Sequence, residues 1–152
     1  NNSKAKVLNK AQTHNIETCI FSDAELINGL VLKELELKKI DFIILAGFLL
    51  KIPGEIINSY PNRIINIHPS LLPLYGGKGM YGIHVHKKVS ESKDLESGIT
   101  IHFVNRHYDQ GAIIFQAKCI LYRNIKPKEI QKKVHKLEIK FFPRIIQDLL
   151  NG

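Results

Sequence analysis

The segment "IINIHPSLLPLYGGKGMYGIHVH", Ile64 to His86, opens as a run of branched apolar residues and breaks at Pro69. Such a run, with Arg63 ahead of it, reads as a buried strand over residues 63–68, and Pro69 and Pro73 stop it from continuing as a central strand. Side chains two apart in a strand share a face. Asn66 and His68 therefore lie side by side, while Ile67 turns into the core. His68 is the last residue before the proline, at the carboxyl end of its strand, where open α/β sheets bind ligands. An amide and an imidazole placed there can both donate hydrogen bonds to a developing oxyanion. The plainer alternative makes Asn66 a turn cap and His68 a satisfied half-buried histidine. The following loop weighs against it: "YGGKGMYG" holds Gly76, Gly77, Gly79 and Gly82. So many glycines are costly unless backbone must approach something closely.

Outward from this strand, "DFIILAG" (41–47) reads as a second strand, buried on both faces as in a parallel sheet. Between them Pro53 occupies a helix N1 position, followed by about two turns. Upstream, residues 3–14 read as a helix capped by Ser3, and "ETCIF" (17–21) as a short strand. Ser22 or Asp23 then caps a helix to about Lys39, with Leu26, Leu30 and Leu37 on one face. Downstream, "HVHKKVSES" reads as a helix. "GITIHFVN" (98–105) alternates and reads as a strand nearer an edge. "GAIIFQAKCILY" (111–122) is its hairpin partner after a tight turn at Asp109-Gln110-Gly111. A last helix runs from about Pro127 to Leu149, with a kink expected at Pro143. Alternating strands and helices in the first half predict one doubly wound α/β domain over 1–152.

Composition narrows the function classes. The chain has 152 residues, 44% hydrophobic and 24% charged, with a net charge of +8. No apolar run approaches the ~20 residues of a membrane span. The lysines are dispersed, and no aromatic-plus-basic stripe suggests an RNA platform. A small anionic substrate explains the charge better than nucleic acid or membrane. Cys19 and Cys119 lack metal-type spacing and read as buried thiols in a reducing compartment, the cytoplasm.

Asp109, in "NRHYDQGAI", is the candidate carboxylate for His68, to fix its tautomer and raise its basicity. An ordinary turn aspartate is the alternative that spacing leaves open. His84 and His86 form an H-x-H pair, but no cysteine or carboxylate completes a metal set, so no metal is expected. His14, His102, His107 and His135 take plain structural readings at this level.

Together, "NIHPSLLPLYGG", "GITIHFVNRHYDQGAIIFQ" and "LAGFLLKIP" resemble the formyltransferases that use 10-formyl-tetrahydrofolate, over nearly the whole chain. The form "GGKGMYGIHVH" looks like the branch that formylates glycinamide ribonucleotide in purine synthesis. The resemblance implies a Rossmann-like formyltransferase fold, with a mostly parallel sheet flanked by helices. It also implies that a substrate amine attacks the formyl carbon and tetrahydrofolate leaves. Asn66 and His68 would stabilise the oxyanion, His68 would donate a proton, and Asp109 would raise the His68 pKa, as an imidazolium beside a carboxylate does. The folate would lie against Phe48, Leu49, Leu50, Lys51 and Ile52, against Asn66, and against His107, Tyr108 and Asp109. There "LLKI" stands where the family commonly has a Met-Arg-Ile-Leu type of run. Glu138 matches a family glutamate at the substrate, with a solvated helix glutamate as its plain alternative. His84 and His86 match positions lining the cleft.

The family opens with a strand, a glycine-rich phosphate loop, a helix and a second strand, and none of these is in the sequence. "NNSKAKVLNKA" resembles the segment just after that second strand, so the chain is expected to be a piece of a protein about 30 residues longer. Three alternatives stay open. One is the catalytic domain of methionyl-tRNA formyltransferase, although no C-terminal β-domain follows here. Another is a formyltetrahydrofolate hydrolase. The third is a non-catalytic folate-binding module. The expected assembly is a monomer or homodimer.

Overall fold

The computed structural model describes residues 5–151. In chain order the elements are α1 (Lys6–Thr13), α2 (Asp23–Ile27), α3 (Leu30–Leu37), β1 (Ile43–Leu45), α4 (Gly54–Ser59), β2 (Ile64–His68), α5 (Ile83–Ser92), β3 (Glu96–Phe103), β4 (Ile113–Ile120) and α6 (Pro127–Asn151). The strands form one sheet in the order β1-β2-β3-β4. Only β1 and β2 run parallel. β3 is antiparallel to both β2 and β4. The α/β class holds, but among the described residues the sheet is mixed rather than mostly parallel.

Period-two alternation divides the core between the sheet's two faces. Ile65 and Ile67 of β2 join Ile99 and Ile101 of β3 on one face, under Val89 of α5 and Ile130 and Val134 of α6. Ile64 points to the other face, into a second cluster with Leu26, Ile52, Ile56 and Tyr60. Asn66 and His68 continue the Ile64 face. There β3 sets His102 opposite Asn66 and Thr100 opposite His68. A bulge between Ile101 and His102 shifts the β3–β4 register beside this pair, and bulges of this kind re-aim side chains at sites.

Several expectations change. The predicted helix over 22–39 is two helices, because Gly29 adopts a left-handed φ of 85° between α2 and α3. Ser22 does cap α2, in a capping box with Glu25. Of the leucine face only Leu26 is buried, while Leu30 and Leu37 are exposed. Among the described residues, 17–21 form no strand and no strand pairs with them. β1 is, among the described residues, a short edge strand with Ile44 exposed, rather than a strand buried on both faces. β3, expected near an edge, is interior and buried from Ser97 to His102. Its polar residues alternate with apolar ones, a pattern that by itself does not distinguish a buried polar face from an exposed one. Pro53 stands at the N-cap, one residue before the helix. Pro143 lies within a continuous α6. The Ser3 cap lies outside the described residues, and α1 has Ala5 at its N-cap. Cys19 is exposed rather than buried, and both cysteines are free. Among the described residues no helix is long and apolar enough to cross a membrane.

Ile101 is fully buried where β3 meets the α5–α6 layer. Ile101→Ala is expected to destabilise the fold by about 2–5 kcal/mol. Urea unfolding checks this through the midpoint at unchanged slope.

Candidate active site

The loop leaving β2 is shaped from beneath by one buried hydroxyl. Thr100 Oγ1 donates to the Ser70 carbonyl (2.7 Å) and accepts from the Leu72 N–H (2.9 Å) and from Gln116 Nε2 (2.8 Å). Ser70 Oγ donates to the Leu74 carbonyl at 2.7 Å. The chain is thereby turned back so that the Tyr75 carbonyl accepts from His68 Nε2 at 2.8 Å. The β3–β4 connection, residues 104–112, is longer than the tight turn expected. Its shape comes from Asn105, which donates to the Gln110 carbonyl (3.0 Å) and accepts from the His107 N–H (2.9 Å). Gly111 is required there, since a Cβ would lie 1.6 Å from the Phe103 carbonyl oxygen.

These two loops meet over the end of β2. The Gly77 N–H donates to Asp109 Oδ2 at 2.8 Å, and a Cβ on Gly76 would lie 3.1 Å from the Asp109 Cβ. The close approach expected of the glycines is thus met at Gly76, which lies against Leu72 and Asp109, while a Cβ on Gly77, Gly79 or Gly82 would meet nothing within 4 Å. Asp109 Oδ1 lies 3.6 Å from His68 Nδ1 and 3.7 Å from His102 Nε2. With Nε2–H given to Tyr75 and Nδ1 facing Asp109, a doubly protonated His68 ring has an oxygen acceptor at each nitrogen. Asn66, His68 and Asp109 are thus brought together.

His102 has only a plain reading in the sequence, yet it stands among them. Its Nδ1–H donates to the Phe103 carbonyl at 2.8 Å, and Nε2 accepts from Asn66 Nδ2 at 3.2 Å. Both contacts suit the neutral ring. Burial pushes the His102 pKa below the ordinary histidine value, against the opposing pull of the Phe103 hydrogen bond and of Asp109. Asn66 is held by one N–H and lines the cleft. The one available signal is that His102 lies two residues from Thr100 in a strand, on the same face. Its partner across the sheet is not readable from the sequence.

An open cleft of about 850 Å³ lies above these groups, a size usual for small-molecule sites. Its walls are Ala46 to Leu49 after β1, the 77–82 loop, His86 of α5, and Lys132, His135 and Glu138 of α6. A smaller hollow of about 70 Å³ lies beside Leu50, Lys51, Ile52, His102 and His107. The two share Phe48, Asn66, Tyr108 and Asp109. Phe48 and Leu49 thus line the main cleft. Leu50, Lys51, Ile52 and His107 border the hollow, with Ile52 also packed in the core. Glu138 lines the cleft and accepts from His135 Nδ1 at 2.9 Å. His86 is buried with Nδ1 unpartnered, and burial holds its pKa low. His84 is exposed, edge-on to Tyr81, and does not line the cleft. Among the described residues no three His, Cys, Asp or Glu side chains are grouped to hold a metal ion.

An amide, an imidazole and a carboxylate thus meet at the carboxyl edge of the sheet, where open α/β sheets bind ligands. The Formyl transferase family profile matches residues 1–146, and the chain belongs to that family. Within it, the chain is 44% identical over 142 residues to the chloroplastic phosphoribosylglycinamide formyltransferase of Arabidopsis thaliana, covering 90% of this chain and 49% of that one. It is 32% identical over 152 residues to the phosphoribosylglycinamide formyltransferase of Bacillus subtilis, covering 97% of this chain and 75% of that one. The crystal structure of phosphoribosylglycinamide formyltransferase from Bacillus halodurans superposes with a TM-score of 0.87 at 28% identity, over 99% of this chain and 77% of that one. The chain spans about half the length of the Arabidopsis relative.

His102 and His86 are both held neutral by burial. The unfolded chain takes up their protons below the ordinary histidine value of about 6.5, while the folded chain resists. The unfolded state then binds more protons, so stability falls as pH drops below that value. Urea midpoints measured from pH 7.5 to 5.5 are expected to decline, and His102→Gln is expected to flatten the decline. An unchanged slope in that variant contradicts the assignment.

Proposed function

We propose that this chain carries the formyl-transfer centre of an enzyme that moves a formyl group from 10-formyl-tetrahydrofolate to the amine of glycinamide ribonucleotide, in purine synthesis. The observation that carries this reading is the convergence of Asn66, His68 and Asp109 where the large cleft and the smaller hollow meet. A two-substrate transfer needs its reacting atoms at such a junction.

In this reading the substrate amine bonds to the formyl carbon, and the formyl oxygen takes up negative charge. An N–H of Asn66 and the Nδ1–H of His68, the nitrogen not given to the Tyr75 carbonyl, donate to that oxygen. The bond from carbon to the folate nitrogen then breaks. His68, backed by Asp109, supplies the proton that the leaving nitrogen gains as the attacking amine loses one. The folate lies along Phe48 to Ile52 and against His107, Tyr108 and Asp109, chiefly through main-chain groups. The ribonucleotide lies toward α6, with Glu138 and His86 beside it. Lys78 and Lys132 line the same cleft, and they and the +8 charge favour an anionic substrate. Two free thiols fit a reducing compartment, for which we take the cytoplasm, with the protein a monomer or homodimer acting on small molecules.

In the complete protein, Asn66→Ala and His68→Ala are each expected to lower kcat by about 100-fold or more, the scale of losing an oxyanion donor. Steady-state formyl transfer to glycinamide ribonucleotide measures this. Near-normal turnover in either variant sinks the assignment.

A further inference from the structure

The carbonyl that receives His68 Nε2 belongs to a residue tied down at its other end. Tyr75 is not glycine, yet its φ is 57°, in the left-handed region, which is unfavourable for a residue with a Cβ. Something must hold it there. Its ring packs against the core cluster under α5 and α6. Its hydroxyl donates to Asp94 Oδ2 at 2.5 Å and lies 2.7 Å from Ser92 Oγ. Ser92 is fixed in turn by donating to the Val89 carbonyl at 2.8 Å. Burial, and then the Asp94 carboxylate, push the phenol pKa up, so it stays a donor at neutral pH. Two residues on, the Gly77 N–H holds Asp109. The 75–77 segment therefore touches both members of the His68–Asp109 pair from one side, and its other side is pinned where α5 passes into β3.

We infer that Tyr75 is a positioning residue: the clamp of its hydroxyl, which donates to Asp94 with Ser92 Oγ as the alternative acceptor, holds its carbonyl on His68 Nε2 and so orients the imidazole toward Asp109. The hydroxyl touches no reacting atom. It acts by restricting the ring to one orientation and one set of proton positions, the preorganisation a general acid requires. The inference rests on the functional reading above for its kinetic arm only.

The test is Tyr75→Phe in the complete protein, which keeps the ring's packing and removes the clamp. Nitrogen-edited NMR follows the proton on His68 Nε2. Its exchange with solvent is expected to be about tenfold faster in the variant, the upper end of what one hydrogen bond supplies. Turnover is expected to fall about fivefold or more, with KM for both substrates within about twofold, since orientation is lost and binding is not. Asp94→Asn, which keeps an acceptor for the phenol, is expected to stay near wild type in both measurements. Should Tyr75→Phe not fold, Asp94→Ala combined with Ser92→Ala removes both acceptors and leaves the tyrosine in place, with the same expected exchange. Unchanged His68 exchange in a folded variant overturns the inference, even if melting temperature falls. If wild-type protein transfers no formyl group but the exchange difference is present, the clamp stands and the functional reading fails.

Discussion

The pairing of β2 with β3 is the constraint on which the cleft depends. It sets Asn66 opposite His102 and His68 opposite Thr100, so one register delivers both the site's donors and the groups that orient them. A slip by one residue would turn Asn66 and His68 into the α5–α6 core and put Ile65 and Ile67 in the cleft. The register is protected by the apolar residues it buries on the other face. Ile65, Ile67, Ile99 and Ile101 fill one cluster, and none of them can reach solvent without losing its contacts. Core packing and site geometry are thus two faces of the same strands.

Polar residues buried at this pairing serve the loops as well as the sheet. Thr100 satisfies three partners at once and fixes the path of the chain after β2. That path allows Gly76 and Gly77 to lie against Asp109. Asn105 and Gly111 build the second loop from the other side. The carboxylate is therefore held by a backbone N–H from one loop and carried by the other, which keeps it near two imidazoles. His102, buried and neutral, can accept from Asn66 without competing for a proton with His68.

Much of this is legible in the sequence where local rules apply. Period two places Asn66 and His68 together, the prolines end β2, and of the glycine cluster Gly76 marks a close approach. The cap at Ser22 is readable, and so is α6. What is not legible depends on neighbours. β3 looks like an edge strand because Ser97, Thr100 and His102 lie among apolar residues, yet all three are buried by contacts from other elements. β1 looks fully buried because its residues are apolar, yet it stands at the edge of the sheet among the described residues. His102 has no motif of its own, and its role comes from a cross-strand register that no single stretch encodes. The helix over 22–39 fails at Asn28-Gly29, a break signal masked by the surrounding leucines.

The family, the fold and the convergence of Asn66, His68 and Asp109 lead to one chemical claim, that a formyl group passes between two bound molecules without escaping to water. Following a carbon-13-labelled formyl donor in the presence of glycinamide ribonucleotide tests this most directly. The account predicts that the label appears on the ribonucleotide amine, one equivalent for each tetrahydrofolate released. Label recovered as free formate, or donor left unconsumed by the complete protein, would contradict it.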